Sequence, residues 1–83
     1  MPNCARLIEK ARNSPGNLRF AEVCQLAECC GYGFVRQRGS HRIYKAPGRR
    51  TILNLQELDR GAKPYQVRQI LAVLDNDENL DGS

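Results

Sequence analysis

Residues 34–55 run Phe34-Val35-Arg36-Gln37-Arg38-Gly39-Ser40-His41-Arg42-Ile43-Tyr44-Lys45-Ala46-Pro47-Gly48-Arg49-Arg50-Thr51-Ile52-Leu53-Asn54-Leu55. Three blocks rich in β-branched and aromatic residues alternate with polar ones, which is the pattern of strands. They predict strands over 34–38, 41–46 and 51–55. Gly39-Ser40 and Pro47-Gly48-Arg49-Arg50 are the turns between them. Loops this short allow only an antiparallel meander. Working towards the N-terminus, the period changes. Phe20, Val23, Cys24, Ala27 and Cys30, widened by Leu26, make one helical face over 19–30, with Gly31 where a left-handed cap residue belongs. Cys4, Leu7, Ile8 and Ala11 form a second stripe over 3–13. Asn13-Ser14-Pro15-Gly16-Asn17 ends that helix. Towards the C-terminus, residues 56–63 read as a loop. Pro64 then opens a helix whose apolar face is Val67, Ile70, Leu71 and Leu74. The order α-α-β-β-β-α predicts an α+β fold with a three-stranded antiparallel sheet, helices on one face and the other face open.

The chain has 83 residues, enough for one domain and too few for a second core. Length and the absence of Gly-x-Gly-x-x-Gly exclude a dinucleotide-binding unit. No apolar run approaches the roughly 20 residues of a membrane span. The first helix is charged throughout, unlike a secretory leader, so the expected location is the cytoplasm. Thirteen Lys and Arg against nine Asp and Glu give +4, unevenly spread. Residues 31–56 carry six basic side chains (Arg36, Arg38, Arg42, Lys45, Arg49, Arg50) and no acidic one, whereas residues 75–83 carry four acidic and no basic ones. A long stretch without carboxylates suits a polyanion, with phosphate the obvious group. The acidic end is expected to fray.

Cys4, Cys24, Cys29 and Cys30 lack the Cys-x-x-Cys spacing of a zinc site, and one histidine cannot complete a mixed one. They read as small buried thiols in a reducing compartment, in preference to a metal site or a disulfide. His41 is the single histidine. It follows Gly39-Ser40 at a strand start between Arg38 and Arg42. Imidazole is the side chain best suited to moving protons near neutral pH. Gly39 lets a backbone approach closely, and Ser40 adds a hydroxyl. Arg38, Arg42 and Lys45 are candidates for stabilising charge on a phosphoryl group. Strand alternation sends Arg42 and Tyr44 to the face opposite His41, so Arg38 and Lys45 rank above Arg42. Tyr32, Phe34 and Tyr44 are candidates to stack on bases, with Phe34 read as core. Lys63 and Arg68 would serve a helix docked on RNA, or are simply solvated.

The whole pattern resembles the HicA family of toxins from type II toxin–antitoxin systems. The resemblance is carried by Gly31-Tyr32-Gly33-Phe34, Arg38-Gly39-Ser40-His41-Arg42-Ile43-Tyr44, Pro47-Gly48, Ile52-Leu53-Asn54-Leu55-Gln56 and Ala62-Lys63-Pro64-Tyr65-Gln66-Val67-Arg68-Gln69. It implies a fold like the double-stranded-RNA-binding domain and an mRNA interferase, an endoribonuclease with His41 as catalytic acid or base. It also implies neutralisation by a HicB-type antitoxin, for which the basic stretch favours an acidic surface. Many members have a second histidine next, where this chain has Arg42. The implied organisation is an added helix and turn over 1–17, a family core over 18–74 and an acidic tail over 75–83. RNA contacts are expected from Arg36, Arg38, Gly39, Ser40, Arg42, Tyr44, Lys45, Lys63 and Arg68. No metal or other cofactor is expected, because residues 31–56 offer no carboxylate cluster. Two other readings fit the same charge pattern: a non-catalytic RNA-binding module, and an interaction domain for an acidic protein.

Overall fold

The computed structural model describes residues 3–57 and 63–76. The first helix, α1 (Cys4–Asn13), starts at Asn3, whose side-chain oxygen accepts the Arg6 amide at 3.1 Å. Such a cap satisfies one of the donors that a helix start leaves open. A single 3₁₀ turn at Pro15–Asn17 redirects the chain. It leads into α2 (Phe20–Cys29), where the Glu22 carboxylate reaches back to the Arg19 amide at 2.9 Å. α2 ends in a Schellman motif: Gly31 N–H bonds Glu28 O and Tyr32 N–H bonds Ala27 O. That geometry places residue 31 at φ 91°, a left-handed conformation suited to glycine.

Strands β1 (Gly33–Arg38), β2 (His41–Lys45) and β3 (Leu53–Gln56) form an antiparallel sheet in the order β1-β2-β3. The register pairs Arg38 with His41, Arg36 with Ile43 and Phe34 with Tyr44 on one side of β2. On its other side, His41 pairs with Gln56, Ile43 with Asn54 and Tyr44 with Leu53. Val35 is the extra residue of a bulge. Alternation then sorts the side chains: Tyr44, Leu53 and Leu55 are buried, whereas Arg36, Arg38 and Asn54 are exposed. α3 (Pro64–Asn76) adds Val67, Ile70, Leu71 and Val73 to the core that Leu7, Ala11, Leu18, Val23, Leu26 and Ala27 build with the sheet. The architecture is the expected α+β fold, an α-β-β-β-α order preceded by one further helix. No helix among the described residues is long and apolar enough to cross a membrane.

Three expectations change. Cys4 and Cys29 are not a pair of buried thiols: they form a disulfide between the start of α1 and the end of α2. Packing of the two helices brings their Cα atoms to 5.7 Å, inside the range that a disulfide spans. Cys24 and Cys30 are free and buried, and burial pushes the Cys30 thiol pKa up. Phe34 is not a core residue but 52% exposed. It lies on an edge strand, edge-on to Tyr44 with ring centroids 5.8 Å apart, so one side is left to solvent. Asp75, read as the first residue of a fraying tail, belongs to α3. It takes two hydrogen bonds from Arg12 on α1, at 3.0 and 2.6 Å. The remaining tail, 77–83, and most of the loop after β3, 58–62, lie outside the described residues.

Candidate active site

The tip of the β1–β2 hairpin is two residues, Gly39 and Ser40. Gly39 has φ 59°, which a two-residue hairpin of this hand requires and which glycine adopts without strain. The tip is braced from both sides. Gln37 Nε2 donates to Gly39 O at 2.9 Å, and the Glu57 amide donates to Ser40 O at 3.1 Å. Gln56 Nε2 approaches Ser40 Oγ at 3.4 Å. His41 is the next residue, the first of β2, and the pleat turns it to the open face of the sheet.

There the half-buried imidazole meets β3. His41 Nδ1 and Asn54 Oδ1 are 2.9 Å apart. Arg36 and Arg38 on β1, Ile43 on β2, and His41 with Asn54 line a shallow cavity of about 280 Å³. Among the described residues, its charged lining is two guanidinium groups with no carboxylate. Such a hollow is a place for an anionic group beside a proton-transfer group. Among the described residues, no three His, Cys, Asp or Glu side chains gather to hold a metal. A second hollow, of about 320 Å³, lies between α1 and α2. The Lys10–Glu22 ion pair, at 2.8 Å, belongs to its lining.

The other candidates are distributed as follows. Lys45 is exposed, at the far end of β2 from the hairpin tip. Arg42 points away from the cavity. Its guanidinium lies over the Phe34 ring at 5.2 Å and the Phe20 ring at 6.0 Å, a cation–π arrangement. Hydrogen bonding to Tyr44, then to Cys24, raises the Arg42 pKa further. Tyr44 is only 1% exposed, and burial pushes its phenol up to about 12. It has no open ring face for a base and does not line the cavity. Tyr32 is likewise buried, with its hydroxyl donating to Thr51 O at 2.8 Å. Lys63 and Arg68 are exposed beside and on α3, in the helical layer. Arg49 reaches Val73 O near the end of α3 at 3.1 Å.

Asn54 is the site residue that sequence reasoning passed over. A signal for it existed. It is the polar residue inside Ile52-Leu53-Asn54-Leu55, at the alternation position that faces away from the two leucines.

The model of the family described as HicA toxin of bacterial toxin–antitoxin matches residues 20–75. No curated protein and no solved structure matches the chain.

Proposed function

The chain belongs to the HicA family of toxins of bacterial toxin–antitoxin systems, and from that premise we propose that it is a metal-independent endoribonuclease acting on mRNA through His41. The observation that carries the reading is the imidazole held against Asn54 in a cavity whose charged lining, among the described residues, is Arg36 and Arg38. RNA brings its own nucleophile, the 2′-OH, so the protein has to move protons and stabilise charge. His41 takes the 2′-OH proton as the 2′-oxygen bonds to phosphorus. The bond from phosphorus to the 5′-oxygen breaks, and that oxygen takes a proton from water. The hydroxide left behind recovers the proton from the imidazolium. The products are a 2′,3′-cyclic phosphate and a 5′-hydroxyl. Arg36 and Arg38 offset the charge that builds on the phosphorane oxygens. Gly39 and Ser40 set the hairpin tip that positions His41, and Lys45 extends the basic face along the strand.

Membership of the family also supports an antitoxin partner, and we propose a HicB-type protein that covers the same open face. The carboxylate-free strands favour acidic side chains on that protein. The deciding experiment is cleavage of RNA by purified protein beside His41→Ala. A proton-transfer group contributes about 10²–10⁴-fold, so the variant should lose that much while still binding RNA. Equal rates for the two proteins would remove His41 from the chemistry and leave an RNA-binding module.

A further inference from the structure

Building on the proposed role of His41, we propose that Asn54 is a positioning residue that fixes the tautomer of His41 and leaves Nε2 to exchange protons with the RNA. An amide oxygen can only accept a hydrogen bond. With Asn54 Oδ1 facing Nδ1 at 2.9 Å, the contact is a hydrogen bond when the neutral ring carries its hydrogen on Nδ1, and that is the tautomer the proposal assigns. Nε2 then carries the lone pair. A histidine side chain in water prefers the opposite tautomer, with its hydrogen on Nε2, which cannot act as a base at that atom. The partner of one ring nitrogen decides what the other can do.

The fold holds Asn54 in place through its neighbours. Leu53 and Leu55 flank it on β3 and are fully buried. A slip of β3 by one residue would bury the amide and expose both leucines, so the apolar core sets the register of the polar contact. Asn54 pairs with Ile43 across the ladder, which places it diagonal to His41 on the same face. The groups facing the imidazole are Arg36 and Arg38 from β1, with Ile43 from β2 and Asn54 from β3. The other β3 neighbour is Gln56, directly opposite His41 and also uncharged. No described carboxylate lines the cavity to hold Nδ1 in place of the amide.

The test combines nitrogen-15 NMR of the imidazole with cleavage rates across pH, on the wild type, Asn54→Ala and Asn54→Asp. Asn54 is exposed, so neither variant disturbs the core. The wild-type neutral ring should be protonated at Nδ1. Asn54→Ala should shift it to Nε2 and slow cleavage more than tenfold, yet less than His41→Ala does. Asn54→Asp keeps an acceptor of the same shape. It should retain the Nδ1 hydrogen and recover most of the cleavage. It should also move the imidazole limb of the pH profile upward, because a neighbouring carboxylate favours the charged ring. A wild-type ring protonated at Nε2, or full cleavage by Asn54→Ala, would overturn the assignment. Absence of cleavage by the wild type would instead remove the nuclease reading, and the NMR result would still decide whether Asn54 sets the tautomer.

Discussion

At the scale of single residues, the arginines separate by face. Arg38→Gln and Arg36→Gln should each lower RNA cleavage, by roughly tenfold or more, because each removes a cation from the proposed phosphate site. Arg42→Gln should leave cleavage close to wild type and lower the melting temperature instead. Its guanidinium covers Phe20 and Phe34, and a cation–π contact contributes about 0.5–1 kcal/mol when exposed. Measuring rate and melting point on the same preparations distinguishes the two outcomes; a large loss of cleavage from Arg42→Gln would place it in the site after all. Cleavage should also persist in excess EDTA, since among the described residues the lining of the cavity is cationic and offers one metal-ligating ring. Activity lost to the chelator and restored by Mg²⁺ would contradict this. The position of His41 was legible because Gly39-Ser40 marks a hairpin tip and alternation then assigns every following side chain to a face. The brace around that tip was not: Gln37 bonds Gly39 O only once the turn is formed, and Gln56 reaches Ser40 across strands whose register the folded core establishes.

At the scale of elements, α1 is fastened to other described residues by Cys4–Cys29, by Lys10 to Glu22, and by Arg12 to Asp75. Replacing Cys4 with Ser opens a loop closed over a sequence separation of 25. The chain-entropy argument puts the loss at about 3–4 kcal/mol. Thermal melting in the presence and absence of reductant should show a drop of roughly 10 °C or more for the wild type and none for Cys4→Ser. RNA cleavage should be unaffected, because the disulfide lies in the helical layer. The two ion pairs add an acid dependence. The Lys10 ammonium, then the Arg19 amide, hold the Glu22 carboxylate below its ordinary 4.5, and Arg12 holds Asp75 below 3.8. Both carboxylates bind protons more readily in the unfolded chain. Their contribution is therefore complete above about pH 4.5 and is lost as pH falls through the lowered folded values. Melting temperature followed from pH 6 to pH 3 should decline, and less steeply for Glu22→Gln. Helices and strands were readable from periods of 3.6 and 2. The disulfide was not readable, because it depends on which ends of α1 and α2 meet. The bulge at Val35 was not either, and it is what brings Phe34 to the side of Tyr44 despite the intervening alternation.

For the whole molecule, the relevant measure is how RNA affinity responds to salt. Each phosphate neutralised on a single strand contributes a slope of about −0.7 in log K against log salt. The open face presents Arg36 and Arg38, with Lys45 further along β2, so about three contacts and a slope near −2 are expected. Binding measured in the His41→Ala background keeps the RNA intact. Arg38→Gln should make the slope shallower by about one contact, whereas Arg6→Gln on α1 should not change it. Affinity indifferent to salt, or sensitive to Arg6, would move the RNA site off the sheet and favour the interaction-domain reading. The run of six bases, and the turning of Arg42 away from His41, were legible in the sequence; the destination of Arg49 was not. Arg42 covers aromatic rings and Arg49 reaches an α3 carbonyl, so a third of the stretch's cations work inside the fold.

The described carboxylates Glu9, Glu22, Glu28 and Asp75 all belong to helices, and Glu57 follows the last strand. The helices carry Arg6, Lys10, Arg12 and Arg68 beside them, so their described charges balance, whereas Arg36 and Arg38 stand on the open face of the sheet with no described carboxylate lining their cavity. A body built like this is an electric dipole, and in the field of a nucleic acid it feels a torque before it feels a contact. Rotation during approach would bring the hairpin tip forward, so that fewer collisions are wasted on the wrong side. Two proteins of the same net charge, one with its excess spread evenly and one with it gathered on a single face, would then differ in how fast they find RNA while holding it equally well.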